Sequence, residues 1–286
     1  MKQKTIMAPI SCIGVGLHSG KEVSLTLKPA EENHGIVFRK INADKTVDIK
    51  AFYDNVTSSN LCTAISCNQT GESILTIEHL MAALWGCGID NLIVEVTGDE
   101  IPIMDGSAEN FIFMIESAGI KTQEKPRQIL KILKETKIKD GDSWVSLEPS
   151  SCFTANVEIN FTNKLVGKQS FAFNTKDTLF EKHISRARTF GFEEELEHLR
   201  AQGLIKGGSL DNAIIVTKDK ILNEGGLRFK DEFVRHKLLD CLGDLFLAGN
   251  RIQGAFEGYK TGHKINNTLL KQVFSDQANY EIIESI

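Results

Sequence analysis

Twice along this chain a helix-forming segment that carries a histidine runs into a glycine-containing turn and then a strand. In the first half, Glu78-His79 lies in a helical segment over 74–86, followed by Gly86, Gly88 and the strand Leu92–Val96. In the second half, His236 and Asp240 lie in a long helix over 231–248, followed by a strand over 252–257. Such a recurrence points to two similar α+β domains. The two histidine-bearing helices could then face each other across the interface, where binding sites tend to form. Lys121–Arg127 is polar and contains Pro126, so it reads as a linker between domains at 1–122 and 123–286.

The remaining elements follow from local pattern. Short strands are expected at 23–27 and 36–38, and a helix at 107–118 closed by Gly119. Strands over 129–138, 143–148 and 153–161 suit an antiparallel sheet. Residues 176–201 read as helical with an interruption at 189–192, and Ala213–Val216 as a strand.

His236, Asp240 and Asp244 are spaced one helical turn apart and therefore share a face. Leu238, Leu239, Leu242, Leu245 and Phe246 fall on the other side. A neutral imidazole and a carboxylate at this spacing suit a borderline cation such as zinc. The same stripe also suits the solvated face of an amphipathic helix.

In the first helix, Ile77, Leu80, Met81 and Leu84 form the apolar face, and His79 points away from it beside Ala82 and Ala83. Those small side chains would let another helix approach closely; a core histidine is the plain alternative. Together His79, His236 and Asp240 supply three ligands, the number a catalytic zinc takes while leaving a fourth position for water. Glu78 is a candidate general base. His263, after a glycine in Tyr259–His263, is a candidate acid that Asp244 could orient. Lys237 and Lys260 could contact an anionic substrate or an oxyanion. The H-E-x-x-H pattern of the zincin peptidases is absent.

Composition removes other classes. With 33 Lys and Arg against 38 Asp and Glu, the net charge is −5, and no basic run is dense enough for nucleic acid or anionic lipid. The six cysteines form no C-x-x-C pair, which argues against a cysteine zinc site or a disulfide framework. The stretch before Gly14 is too short and is interrupted by Pro9, so no leader is expected. No apolar run reaches the ~18–20 residues of a membrane span; a soluble, cytoplasmic monomer is expected. Gly14-Val-Gly16, Gly207-Gly208 and Gly225-Gly226 match neither nucleotide-binding glycine pattern.

Taken in order, several segments resemble one family closely. They are Gly14–Gly20, Thr76–Leu80, Gly88–Leu92, Glu100–Ser107, Ile184–Phe192, Gly207–Ser209, Phe233–Asp240 and Tyr259–His263. The chain is similar to the UDP-3-O-acyl-N-acetylglucosamine deacetylases, zinc amidases of the committed step of lipid A biosynthesis in Gram-negative bacteria. The resemblance implies one zinc ion per chain on His79, His236 and Asp240. It implies Glu78 as base, His263 as acid supported by Asp244, Thr189 at the oxyanion, and Lys237 on the substrate. Phe190, Lys260, Leu17, Cys62 and Gly208 are the further expected substrate contacts. The partner it implies is a UDP-linked acylated amino sugar.

The implied fold is α+β: two similar domains packed helix layer to helix layer between outer sheets, each with a small insertion. Segment 55–67 would lie in the first insertion. The region after Arg186 would form the second, lining an apolar passage for the acyl chain. Positions such as Leu61 and Ile205 carry no motif, so chain-length preference stays open, as does zinc against iron(II). Some members of the family continue into a fused dehydratase; with the chain ending at Ile286, none is expected. Two rival readings remain at this point: a deacetylase of another N-acylated sugar, and a non-catalytic protein clamped by its metal.

Overall fold

The computed structural model describes residues 1–42, 45–57 and 61–285. Six α-helices are defined among the described residues: α1 (Glu78–Cys87), α2 (Glu109–Ala118), α3 (Phe180–His183), α4 (Glu193–Ala201), α5 (Glu232–Phe246) and α6 (His263–Phe274).

Each half of the chain builds a five-stranded sheet of the same design. The first has the spatial order Ile10–Val15, Glu22–Pro29, Leu92–Val96, Ile36–Ile41, Thr46–Lys50. Its middle strand is antiparallel to Glu22–Pro29 and parallel to Ile36–Ile41. The second runs Thr136–Asp140, Ser143–Glu148, Ala255–Tyr259, Thr154–Asn160, Lys168–Asn174. Here too the middle strand is antiparallel to one hairpin and parallel to the other. In both halves one helix precedes the middle strand and another follows it: α1 and α2 in the first, α5 and α6 in the second. The chain is thus an α+β fold built from one unit used twice.

One face of each sheet is apolar because its strands alternate. Val23, Leu25 and Leu27 point inward from one, and Ala155, Val157 and Ile159 from the other. The helices cover those faces. Helix α1 packs on α2 and α5, α5 packs on α6, and α5 lies on Thr154–Asn160 and Lys168–Asn174. The approach of α1 to α5 is close: a β-carbon at Gly243 would stand 2.1 Å from the Glu78 carbonyl oxygen. Ala82 and Ala83 are fully buried, as expected of small residues at a tight helix contact.

Both insertions are present. The first is a small sheet of Val56–Thr57, Ala64–Ser66 and Ser73–Ile74; Ser58, Ser59 and Asn60 of the expected 55–67 segment lie outside the described residues. The second contains the parallel pair Phe190–Phe192 and Ile214–Val216 together with α4.

Several local expectations are corrected. Lys121–Arg127 is not a loop, because Ile120–Pro126 is a strand paired antiparallel to Lys2–Ile6. The N-terminal segment forms that strand and Ile10–Val15. Helix over 176–201 shrinks to α3 and α4. The strands expected over 129–138 and 252–257 each split in two. The second split falls at Gly254, where a β-carbon would stand 2.8 Å from the Ile132 side chain. No helix among the described residues is long and apolar enough to cross a membrane.

Candidate metal centre and active site

The polar stripe of α5 is not solvated. His236, Asp240 and Asp244 are 2%, 4% and 2% exposed, which removes the amphipathic-surface reading. The stripe faces the start of α1, where Glu78 and His79 are equally buried. Two helices from different halves of the chain therefore bring five ionisable groups into one place.

Ligand atoms of His79, His236 and Asp240 lie within 4.8 Å of one another. Asp240 Oδ1 is 3.4 Å from His236 Nε2 and 3.6 Å from His79 Nε2. The two imidazoles stand edge to face, with ring centroids 5.0 Å apart. His236 Nδ1 donates to the Ala187 carbonyl at 3.1 Å, which leaves the Nε2 lone pair free to ligate. Burial, first, lowers the His236 pKa to about 3 against the opposing charge of Asp240, so the ring is neutral. Asp240 Oδ2 accepts from Lys237 Nζ at 2.9 Å, but the buried Oδ1 has no hydrogen-bond partner. A buried carboxylate oxygen without a donor is costly. Two imidazole nitrogens beside it complete the donor set of a divalent metal, so these residues fit one.

The acid and base candidates flank this cluster. Glu78 Oε1 is 3.7 Å from His263 Nε2. Burial pushes the Glu78 pKa up, countered in part by His263 and His79. His263 Nδ1 lies 2.9 Å from Asp244 Oδ2. Burial disfavours the His263 charge, but Asp244 and Glu78 outweigh it and raise the pKa to about 10. Asp244 also accepts from Asn266 Nδ2 at 2.8 Å.

Thr63 is the residue that the sequence did not reveal. Its backbone N–H donates to Glu78 Oε2 at 3.0 Å, and its hydroxyl donates to Asp244 Oδ1 at 2.5 Å. No motif marks a lone threonine in an insertion. Asn266 was missed for a similar reason, although its position one turn after His263 was a usable signal. Buried Glu100, at the head of the Glu100–Ser107 segment, has no role assigned from sequence; it accepts from the His18 and Ser19 backbone and from the Thr76 hydroxyl.

These groups open into a cavity of about 380 Å³. Leu17, Thr189, Phe190, Lys237 and Gly208 line it, together with Leu61 and Ile205. Its far wall is apolar, from Leu196, Leu199, Leu210 and Ile215 of the second insertion. Thr189 is held by backbone bonds to Gly106 and Ile214, both 2.8 Å. Lys237 Nζ sits 5.7 Å from the Phe190 ring centroid. His18 also faces this space, 5% exposed, with neither ring nitrogen partnered. Two expected contacts fall elsewhere. Cys62 is buried beside Thr63 and does not line the cavity. Lys260 lines a neighbouring pocket that shares Leu61 and His263 with it.

Comparison with known proteins agrees with this arrangement. The sequence profile of the family described as UDP-3-O-acyl N-acetylglycosamine deacetylase matches residues 3–275. A protein of Haemophilus influenzae (strain PittEE) is 46% identical over 285 residues, covering 99% of this chain and 93% of its own length. One from Xanthomonas axonopodis pv. citri (strain 306) is 45% identical over 284 residues, 98% of this chain and 92% of its own. A third, from Stenotrophomonas maltophilia (strain K279a), is 45% identical over 285 residues, 98% and 93%. All three are named UDP-3-O-acyl-N-acetylglucosamine deacetylase. With the match running from strand to strand through both halves and across every group of the buried centre, this chain belongs to the UDP-3-O-acyl N-acetylglycosamine deacetylase family.

Proposed function

We propose that this chain hydrolyses the N-acetyl group of UDP-3-O-acyl-N-acetylglucosamine, releasing acetate and a free 2-amine, the committed step of lipid A biosynthesis. Family membership supports the reaction. The observation that carries the mechanism is the placement of Glu78 and His263, 3.7 Å apart, beside three converging ligand atoms.

Zinc held by His79, His236 and Asp240 would supply a Lewis acid for the amide carbonyl and lower the pKa of water. Iron(II) suits the same two-nitrogen, one-oxygen set. A structural zinc is usually closed by four protein ligands; three converge here among the described residues, which favours a working site over a clamp.

Glu78, raised in pKa by burial, takes the proton of the attacking water. His263, held protonated by Asp244, gives a proton to the departing amine nitrogen. The Thr189 hydroxyl, on a residue whose main chain is held at the cavity wall, donates to the developing oxyanion. Lys237 contacts the substrate from beside Phe190. The acyl chain lies along Leu17, Phe190, Ile205 and Gly208. Lys260 and Lys264 in the neighbouring pocket suit the diphosphate.

The two units are assigned to 1–122 and 123–286. The enzyme is taken to act as a monomer, and a UDP-linked substrate supports a cytoplasmic enzyme. The deciding experiment is acetate release from UDP-3-O-acyl-N-acetylglucosamine by purified protein, before chelation, after it, and after zinc is restored. Turnover that disappears with metal and returns with zinc is expected. Folded, metal-loaded protein that releases no acetate would sink the assignment. Equal turnover on the sugar lacking its 3-O-acyl chain would move it to another N-acylated sugar.

A further inference from the structure

A second cavity, of about 440 Å³, opens at the opposite end of α1, about 10 Å along the helix from His79 at 1.5 Å per residue. Its walls are aromatic. The Trp85 ring meets Phe153, Phe173 and Phe180 edge-on, at centroid distances of 5.7, 5.7 and 5.8 Å. Arg127 and Arg251 line the same space. Both guanidinium groups approach Gly88, where a β-carbon would stand 3.5 Å from Arg127 Nη2 and 3.7 Å from Arg251 Nη2.

The two arginines are not equivalent. Arg127 is satisfied: it grips Asp90 with two N–H groups at 2.7 Å and donates to the Gly88 carbonyl at 2.6 Å. Arg251 is not. Its Nη2 donates to the Trp85 carbonyl and its guanidinium lies 5.0 Å from the Trp85 ring centroid. Its Nε is buried without a partner, and no carboxylate lies within 4 Å of it among the described residues. Two cations therefore share one carboxylate in a partly dry, aromatic pocket. Burial, with Arg127 next, lowers the Arg251 pKa to about 10. Cys87 cannot supply the missing negative charge, since burial pushes its thiol up to about 12. Capping of α1 accounts for one N–H of Arg251 and leaves the rest of a five-donor fork.

We propose that this cavity binds a single-tailed organic anion, a carboxylate or phosphate head on Arg251 with an apolar tail among Trp85, Phe153, Phe173 and Phe180. The guanidinium fork matches a carboxylate or phosphate bidentately. A volume of about 440 Å³ falls in the range of small-molecule sites. The site is separate from the reaction cavity and does not depend on the activity proposed above.

Trp85 is the reporter. In a Trp144→Phe background it is the one remaining tryptophan, and its emission can be titrated with decanoate, decyl phosphate and decanol. Decanoate or decyl phosphate should give a saturable change, and whichever binds tighter tells a fatty-acid source from a phospholipid-like one. Decanol should give none. Arg251→Gln should weaken anion binding at least about tenfold, and Arg251→Lys should retain part of it as a point charge. Cys152→Trp, filling the cavity while keeping both arginines, should abolish binding as seen by calorimetry even if Arg251→Gln fails to fold. No saturable change with either anion would overturn the proposal. So would equal binding of decanol, undiminished binding in Arg251→Gln or Cys152→Trp, or displacement of the anion by saturating sugar-nucleotide substrate.

Discussion

The Thr63 hydroxyl donates to Asp244 Oδ1 at 2.5 Å, although 181 residues separate the two in sequence. The same threonine holds Glu78 through its backbone N–H. One insertion residue thus fixes the relative position of Glu78, the proposed base, and of Asp244, the carboxylate behind the proposed acid His263. The buried centre is assembled from the first insertion, α1, α5 and the start of α6, and none of these is sufficient alone.

Replacing Thr63 by Val should separate these two tasks, since the backbone bond to Glu78 survives and the hydroxyl bond to Asp244 does not. A hydrogen bond to a charged group is worth about 1.5–3 kcal/mol, so kcat should fall roughly ten- to a hundredfold. Metal content should stay stoichiometric. Steady-state kinetics with metal analysis checks this, and an unchanged kcat would remove Thr63 from the positioning of Asp244.

His263 sets a pH dependence whose direction follows from its environment. Its pKa rises from an ordinary 6.5 to about 10 in the fold, so the fold prefers the protonated ring. That contribution to stability is complete below about pH 6.5 and is lost as pH rises through about 10. In metal-stripped protein, the stability advantage of wild type over His263→Gln should therefore shrink between those limits. Urea unfolding of both proteins across that range tests it; an advantage that grows with pH would reverse the assignment.

Much of this centre was legible because helix spacing is a strong constraint. His236, Asp240 and Asp244 had to share a face, and Ala82 and Ala83 beside His79 marked where a second helix could press in. Burial was not legible, since a polar stripe reads the same whether it meets water or another helix. The strand Ile120–Pro126 escaped notice because only Gln123 within it is well buried between exposed neighbours. Its partner, Lys2–Ile6, lies more than 110 residues away, so nothing local signals the pairing. The over-long helix assigned to 176–201 has a similar cause. α4 is rich in glutamate and helix-prone, but Phe190–Phe192 is drawn into a strand by pairing with Ile214–Val216.

Removing the metal should cost stability as well as activity, because the proposed ligands His79, His236 and Asp240 bridge α1 and α5. A ligand that binds the folded state stabilises it by RT ln(1 + [L]/Kd), so chelation should lower Tm and zinc should restore it. In Asp240→Asn the Tm should no longer respond to zinc. Differential scanning calorimetry on both proteins decides the matter; a zinc response that survives the substitution would mean the metal sits elsewhere.

Gly243 offers the sharpest test of how packing serves chemistry. A β-carbon there would lie 2.1 Å from the Glu78 carbonyl oxygen, 2.9 Å from its carbonyl carbon and 3.1 Å from its Cα. These are backbone atoms at the start of α1, so the added methyl cannot be relieved by a rotamer change. Helix propensity alone would favour alanine over glycine by about 1 kcal/mol. Overpacking typically costs about 1–3 kcal/mol, and here it acts directly on the residue proposed as base. Gly243→Ala should therefore lose stability despite the better helix former, and lose kcat by more than its remaining folded fraction explains. Gly225→Ala is the control, since nothing lies within 4 Å of its added β-carbon. If both variants keep wild-type Tm and kcat, α1 and α5 are farther apart than the geometry requires, and the positioning of Glu78 must be sought in Thr63 alone.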